Sequence, residues 1–491
     1  MTTEGIAARR SGDDVEAPGT ATTFEFHGRF RFGIERWAYV EFDVPPGVAR
    51  ISVRTSHDPF SLLGIARNVL DLGIFGPAGH GLGNAEGFRG WSGGARQDFT
   101  LSASDATPGY LAGPIEPGRW ALALGPVVLN PLGMRWRASV VLEHGEPQPP
   151  PPATATPAPG VPPRRGAGWY RGDLHLHTVH SDGRREPGEL IADARASGLD
   201  FIASTDHNTS AANREWLTTR PGEFPVLPGE EVTTRHGHWL AVGLLPGAWV
   251  DWRYGPRDRV FARYAAAVRA GGGLVVAAHP AVPLPGSAWE FGYRDVDALE
   301  VWNGTWNVDD EISLRIWHRL LRRGRRVAAV GGSDSHAAHQ RVGLPQTVVF
   351  AAALAHRELV EGLRLGRSYL AESSGVALEL TASCPAGGDD VRAGPGETLA
   401  VPPGAPVTVH VAASGVPGAR VTVITAAGRV ARATVGGSGL GRLRWTATGA
   451  DSRFIRIEVR HGARGRLAPM IALTNPIWLS SPNSRRRDVA A

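Results

Sequence analysis

Between Glu146 and Arg165 nine of twenty residues are proline, including the run Pro149 to Pro152. Proline lacks an amide hydrogen and fixes φ, so this stretch is expected to adopt polyproline II and to join neither helix nor sheet. It divides the 491 residues into parts with separate apolar patterns, in keeping with the two or three domains expected of a chain too long for one core. Upstream, Ala49 to Arg54, Trp120 to Leu124 and Met134 to Val140 alternate apolar and polar residues between Gly/Pro turns. That period of two predicts a β-sandwich over 20–145, behind a disordered stretch at 1–19. After the linker, 146–167, short apolar strands alternate with amphipathic helices over 168–375, an α/β pattern. Expected helices begin at Pro187, Arg257, Asp310 and Arg357, and expected strands cover 200–204, 239–245, 274–278, 298–302, 327–330 and 347–350. Alternation returns over 376–480, predicting a second β-sandwich before a basic tail at 481–491 that contains Arg485, Arg486 and Arg487.

Composition excludes several chemistries. All 52 basic residues are arginine, so neither a Schiff-base lysine nor a P-loop lysine exists, and arginine must serve any anionic ligand. The single cysteine, Cys384, excludes intrachain disulfides, Cys-rich zinc modules and CxxC redox chemistry. A formal charge of +5 is spread among 47 acids with no arginine stripe interleaved with aromatics, so nucleic acid is not an expected partner. No apolar run reaches the roughly 18 residues of a membrane span and no leader is read at the start, which makes a cytoplasmic location the expectation.

The chemistry concentrates in the middle segment, where ten of the 17 histidines fall between His175 and His339. Most stand at or just after a predicted strand end, where the carboxyl ends of α/β strands gather into one site. His175 and His177, two apart on an extended segment, point to one face and converge. Asp182 follows in the next loop; Asp206, His207 and Asn208 end another strand. Glu230 and Glu231 open a third strand, with Arg235, His236 and His238 beyond it. His279, the segment Glu300 to Asn303, and Asp334 with His336 end three more. Six strand ends delivering imidazoles and carboxylates are the layout of a polynuclear metal site, and mixed ligation of this kind accepts zinc, manganese or iron.

Gly172 to Gly183 (GDLHLHTVHSDG), Thr205 to Asn208 (TDHN), Gly229 to Glu231, His279-Pro280 and Gly332 to His336 (GSDSH) together resemble the PHP (polymerase and histidinol phosphatase) metallohydrolases. Trp169 to Asp173, Glu231 to Trp239 and Glu300 to Asn303, with Thr474 to Ile477 near the end, are similar to the CehA/McbA branch, which includes a carbaryl hydrolase. The resemblance covers the middle segment and implies a distorted (β/α)7 barrel holding two or three divalent ions. One ion would take His175, His177, Glu231 and Asp334; a second would share Glu231 and add His238 and His279; a third would take Asp182, His207 and His336. Motif alignment favours Glu231 over Glu230 and His238 over His236, with both alternatives open. Paired ions would supply a bridging hydroxide, so no protein nucleophile is needed. Asp206 is expected to orient an imidazole, His180 or His339 to protonate a leaving group, and Arg235 and Arg341 to clamp an anion. The activity implied is hydrolysis of a small phosphate monoester or diester. Hydrolysis of a carbamate, carboxyl ester or amide is the alternative, and a glycan- or partner-binding protein with a structural metal is a third reading. Substrate contacts are expected from loops such as 284–295 and 306–310. The oligomeric state is not legible.

Overall fold

The computed structural model describes residues 7–11, 20–31, 37–59, 61–62, 66–129, 131–146, 166–218, 224–284, 286–386, 389–448, 452–462 and 468–480. The proline-rich linker and the basic tail expected from the sequence lie outside the described residues, apart from the linker's two ends. Within the stretch expected to be disordered, Ala7–Ser11 is a strand paired antiparallel with Ala21–Phe30, so that expectation is corrected for these five residues.

Two antiparallel sheets make the N-terminal sandwich. One runs Ala7–Ser11, Ala21–Phe30, Met134–His144, Val48–His57, Asp98–Ser102; the other runs Ala38–Val44, Gly118–Val128, Val69–Phe75, Phe88–Gly93. Alternation explains the packing: along Met134–His144 every second side chain is buried, and Phe30, Ile51, Leu72, Leu122 and Val140 meet between the sheets.

In the middle segment the strands fall into two sheets. Val226–Leu227, Phe201–Ala203 and Gly168–Asp173 pair in parallel, followed by the antiparallel strands Gln346–Ala351 and Ser368–Ala371. The second sheet runs Gly229–Thr234, Gly237–Val242, Leu274–Ala277, Ala298–Asn303, Ala328–Gly332, and only its last three strands are parallel. Isolated bridges join the sheets at Leu176 with Ser335 and His207 with Glu231. A closed (β/α)7 barrel is therefore not shown. The hairpin at Thr234–Gly237 and the antiparallel return of Gln346–Ala371 replace βαβ crossovers, which leaves few helices.

Those helices are α1 Pro187–Ala196, α2 Ala211–Thr218, α3 Phe261–Ala270, α4 Val308–Arg322 and α5 His356–Arg364. Proline at the first turn starts α1. In α4 the side chain of Asn307 accepts from the amides of Asp309 and Asp310, while Asp310 accepts from the amide of Asn307, a reciprocal cap. The sequence pattern did not anticipate α2.

A boundary near residue 375 is not a break in the structure. Ser368–Ala371 pairs with Met470–Thr474, so the middle and C-terminal segments share one sheet, and a four-stranded sheet around Pro406–Ser414 packs over its far end. A single apolar cluster also joins Phe75, Phe88 and Trp91 of the first sandwich to Trp239, Trp252 and Trp317 of the middle segment and to Phe454 and Trp478 near the end. Among the described residues no helix is long and apolar enough to cross a membrane.

Candidate metal centre

The strand Gly168–Asp173 ends two residues before His175, and the extended segment that continues it carries both His175 and His177. Asp173 makes this path: its carboxylate accepts from the amides of His175, Ser333 and Gly343 at 3.2, 2.9 and 2.8 Å. Burial outweighs those bonds and lifts the carboxyl to about 6. Gly332 lets the neighbouring strand pass, since a Cβ there would lie 2.4 Å from that of His175.

Three groups of donor atoms result, each with its atoms within 4.8 Å of one another: His175, His177, Glu231 and Asp334; Glu231, His238 and His279; His177, Asp182, His207 and His336. All nine side chains assigned from the resemblance are there, and His177 also joins the third group. Glu231 is central. Its Oε2 lies 3.2, 3.3 and 2.9 Å from His175 Nε2, His177 Nε2 and His207 Nδ1, and its Oε1 lies 3.0 and 3.1 Å from His238 Nδ1 and His279 Nε2. Depth is graded. His175 and Glu231 are fully buried, whereas the side chain of Asp182 is 45% exposed and that of His336 29%, so the third group forms the mouth.

Of the alternatives left open, Glu230 points away and accepts from the amide of Val250, and His236 bonds Glu290. Three of the four non-glycine residues with positive φ among those described are Asn208 (54°), His279 (22°) and Asp334 (49°). Backbone held this way costs about 1–3 kcal/mol per residue and tends to be kept where a side chain must be aimed.

Electrostatics leave the carboxylates ionised. Burial alone would raise Glu231, but His207, His175 and His238 hold it well below the ordinary range; Asp334 is likewise held down against burial by His175 and His177. Burial would lower His207, yet Glu231 and Asp182 bring it up to about 10. His177 falls to about 4 through burial and through His207 and His336 beside it, so it stands as a neutral lone-pair donor. Buried Nε2 of His175 and Oε2 of Glu231 face each other, and neither has a hydrogen bond among the described residues. Two such atoms aimed at one point, within a set of imidazoles and carboxylates, fit divalent cations.

The second ring of contacts corrects several expectations. Among the described residues Asp206 has no direct hydrogen bond to an imidazole and reaches His177 only through Ser181, whose Oγ lies 3.5 Å from His177 Nδ1. It accepts from the amide and hydroxyl of Thr178 and from Ser181 Oγ, and so shapes the loop that carries Asp182. Both ring nitrogens of His180 are engaged: Nδ1 accepts from the amide of Gly109 and Nε2 donates to Glu215, which ties the first sandwich to this loop and leaves no proton for a leaving group. Arg341 and His339 are exposed and stand outside the three donor groups. Arg235 lies with its guanidinium 4.6 Å above the ring of Trp37.

Residues the sequence reading missed do the positioning. Glu300 receives His175 Nδ1–H at 3.1 Å, the carbonyl of Asp334 receives His336 Nδ1–H at 2.8 Å, and Thr233 Oγ1 sits 2.6 Å from His207 Nδ1. Arg185 spans Asp193, Ser335 and the carbonyls of Ala337, Ala338 and Gln340, holding the loop behind His336. Only Glu300 carried a signal beforehand, as an acid at a strand end.

No family model matches the chain. An uncharacterized protein of Methanocaldococcus jannaschii, MJ1587, is 27% identical over 147 residues, 27% of this chain and 81% of that protein. Among solved structures, a two-domain protein of Bacteroides vulgatus, named as containing a PHP-like metal-dependent phosphoesterase by prediction, is 16% identical with a TM-score of 0.36. The match covers 65% of this chain and 97% of that one. A protein of Bifidobacterium adolescentis, named only as a candidate metal-dependent phosphoesterase, is 22% identical with a TM-score of 0.26, covering 37% of this chain and 91% of that one. Likenesses this distant transfer no activity, and the chemistry rests on the donors themselves.

Proposed function

We propose that the chain is a metal-dependent hydrolase of phosphate esters, with the middle segment a strongly distorted barrel of the PHP kind. The observation that carries this reading is the sharing of donors: Glu231 belongs to two groups and His177 to two, so the three groups form one continuous basin. Divalent cations held there would supply Lewis acidity toward an ester oxygen and toward water, and would balance the charge of a phosphoryl group. The protein's own part is orientation. Glu300 keeps the Nδ1 proton of His175 outward so that Nε2 presents its lone pair inward, and the carbonyl of Asp334 does the same for His336. Asp206 fixes Ser181, whose Oγ lies 3.5 Å from His177 Nδ1. The buried inner end excludes bulk water, and the exposed Asp182 and His336 leave the outer end open to substrate.

Metal analysis of protein purified without added metal should find two or three equivalents. The metal-loaded protein should hydrolyse p-nitrophenyl phosphate or bis-p-nitrophenyl phosphate, and Glu231→Gln should cost more than about a hundredfold, beyond what loss of an outer contact alone produces. Turnover confined to 1-naphthyl N-methylcarbamate would move the protein to the carbamate hydrolases suggested by the CehA/McbA resemblance. Bound metal with no turnover of any ester would make it a binding protein.

A further inference from the structure

A second cavity, of about 280 Å3, lies between the first sandwich and the middle segment. The sandwich supplies Phe88 and Arg89 to its lining, and the middle segment supplies Ser210, Arg214 and Trp249. None of these belongs to the three donor groups. Phe88 and Trp249 stack with ring centroids 4.2 Å apart, and Trp249 Nε1 donates to the carbonyl of Asn208 at 3.2 Å, which fixes the aromatic part of the lining. Two guanidiniums share the space. Arg89 is immobilised by carbonyls: Nε and Nη2 donate to Leu111 at 3.4 and 3.2 Å, Nη2 also to Gly113 at 3.0 Å, and Nη1 to Pro114 at 2.9 Å. Those bonds orient the cation without cancelling its charge. Arg214, which is exposed, makes one long contact, from Nη1 to the carbonyl of Ala112 at 3.4 Å. Among the described residues neither arginine forms an ion pair, and Glu86, the one acid in the lining, is exposed and pairs with neither. Burial, and after it the charge of Arg214, brings Arg89 down to about 10 against the pull of Glu116, and burial lowers Arg214 as well. Two like charges set beside apolar rings with no counterion cost free energy that an anion would recover.

We propose that this cavity is a binding site for a small organic anion, a single anionic group on an apolar body, separate from the metal centre. The anionic group lies with Arg89 and Arg214, and the apolar body lies against Phe88 and Trp249. Arg89 contributes fixed charge, while Arg214 contributes charge and the donors that its one contact leaves over. The volume, at the lower end of the roughly 300–1,000 Å3 usual for ligand cavities, suits a molecule of one ring and not a polymer. Because the rings and Arg89 are already held in place, little ordering is left for binding to overcome.

The probe is 4-bromobenzenesulfonate, whose sulfonate is a poor ligand for divalent ions, and the control is its neutral isostere, 4-bromophenyl methyl sulfone. Calorimetry on the full-length, metal-loaded protein should show the sulfonate binding at least about tenfold tighter than the sulfone. Arg214→Gln should bring the two affinities to within about twofold, with circular dichroism reporting that the fold is kept, and Arg214→Glu should abolish sulfonate binding. In crystals soaked with the sulfonate, the anomalous signal of bromine should lie against Phe88 and Trp249. Equal affinities for the two probes, a gap that survives Arg214→Gln, no binding of either probe, or bromine found only in the metal basin would overturn the site. Binding that behaves as expected in a protein that turns over no phosphate ester would leave this site standing and remove the hydrolase reading instead.

Discussion

Both carboxylate oxygens of Glu300 lie within hydrogen-bond distance of Nδ1 of His175, at 3.1 and 3.3 Å. The same carboxylate accepts from the amide of His279 at 2.8 Å and from the side-chain amide of Asn303, which also reaches Asp334. One acid outside the donor groups thus touches residues that serve two of them. Glu300→Gln keeps the volume and removes the charge. Metal affinity should fall about 10- to 100-fold, read by competition with a chromophoric chelator, while the circular dichroism of the protein is unchanged. Undiminished affinity would show that Glu300 only fills space.

Asn475 clamps the strand that delivers Asp334. Its side chain accepts from the amide of Ala329 at 2.7 Å and donates to the carbonyl of Ala329 and to Ser368 Oγ, both at 2.8 Å. Asn475→Ala leaves these buried groups unpaired, and the expected loss is about 2–4 kcal/mol in denaturant unfolding. A change below about 1 kcal/mol would mean that water replaces the amide.

His318 predicts an acid-sensitive seam. Burial first, and then Arg456, hold its imidazole down to about 4, and its Nδ1 accepts from Arg456 at 3.5 Å. The folded value lies below the unfolded 6.5, so the stabilisation is present above pH 6.5 and is lost as pH falls toward about 4. His318→Gln should reduce the drop in melting temperature between neutral pH and about pH 5 by a few degrees. An acid limb identical to that of the unmodified protein would assign the sensitivity elsewhere.

Gly125→Ala tests the platform beneath Arg235 from a distance. The added methyl must displace Trp37, because contact at 1.8 Å is impossible. Overpacking of this kind costs about 1–3 kcal/mol, and tryptophan fluorescence should shift with it. A variant of unchanged stability and spectrum would show that the indole relaxes freely.

What was legible in the sequence followed the range of the forces involved. Several donor positions, though not Asp182 in its loop or Glu231 within its strand, were legible because they follow local strand ends, which are written in short apolar runs such as Leu274–Ala277 before His279. Partners were not. His180 was read as a proton donor because of its neighbours in sequence, but its ring is taken by Gly109, 71 residues upstream, and by Glu215. Asp206 sits beside a ligand in the chain yet bonds across to Thr178 and Ser181. The architecture divides in the same way. A short apolar run announced a strand at 347–350, seen as Gln346–Ala351, but its antiparallel pairing with Gly168–Asp173, more than a hundred residues away, is invisible in its own residues.

The aromatic cluster common to all three segments has a mechanical corollary. Among the described residues, Trp91 packs against Trp252 on one side and Phe454 joins the same cluster on the other, so one apolar core ties the first sandwich to the rest. Removing the first sandwich would therefore uncover a tryptophan-rich surface prone to aggregation.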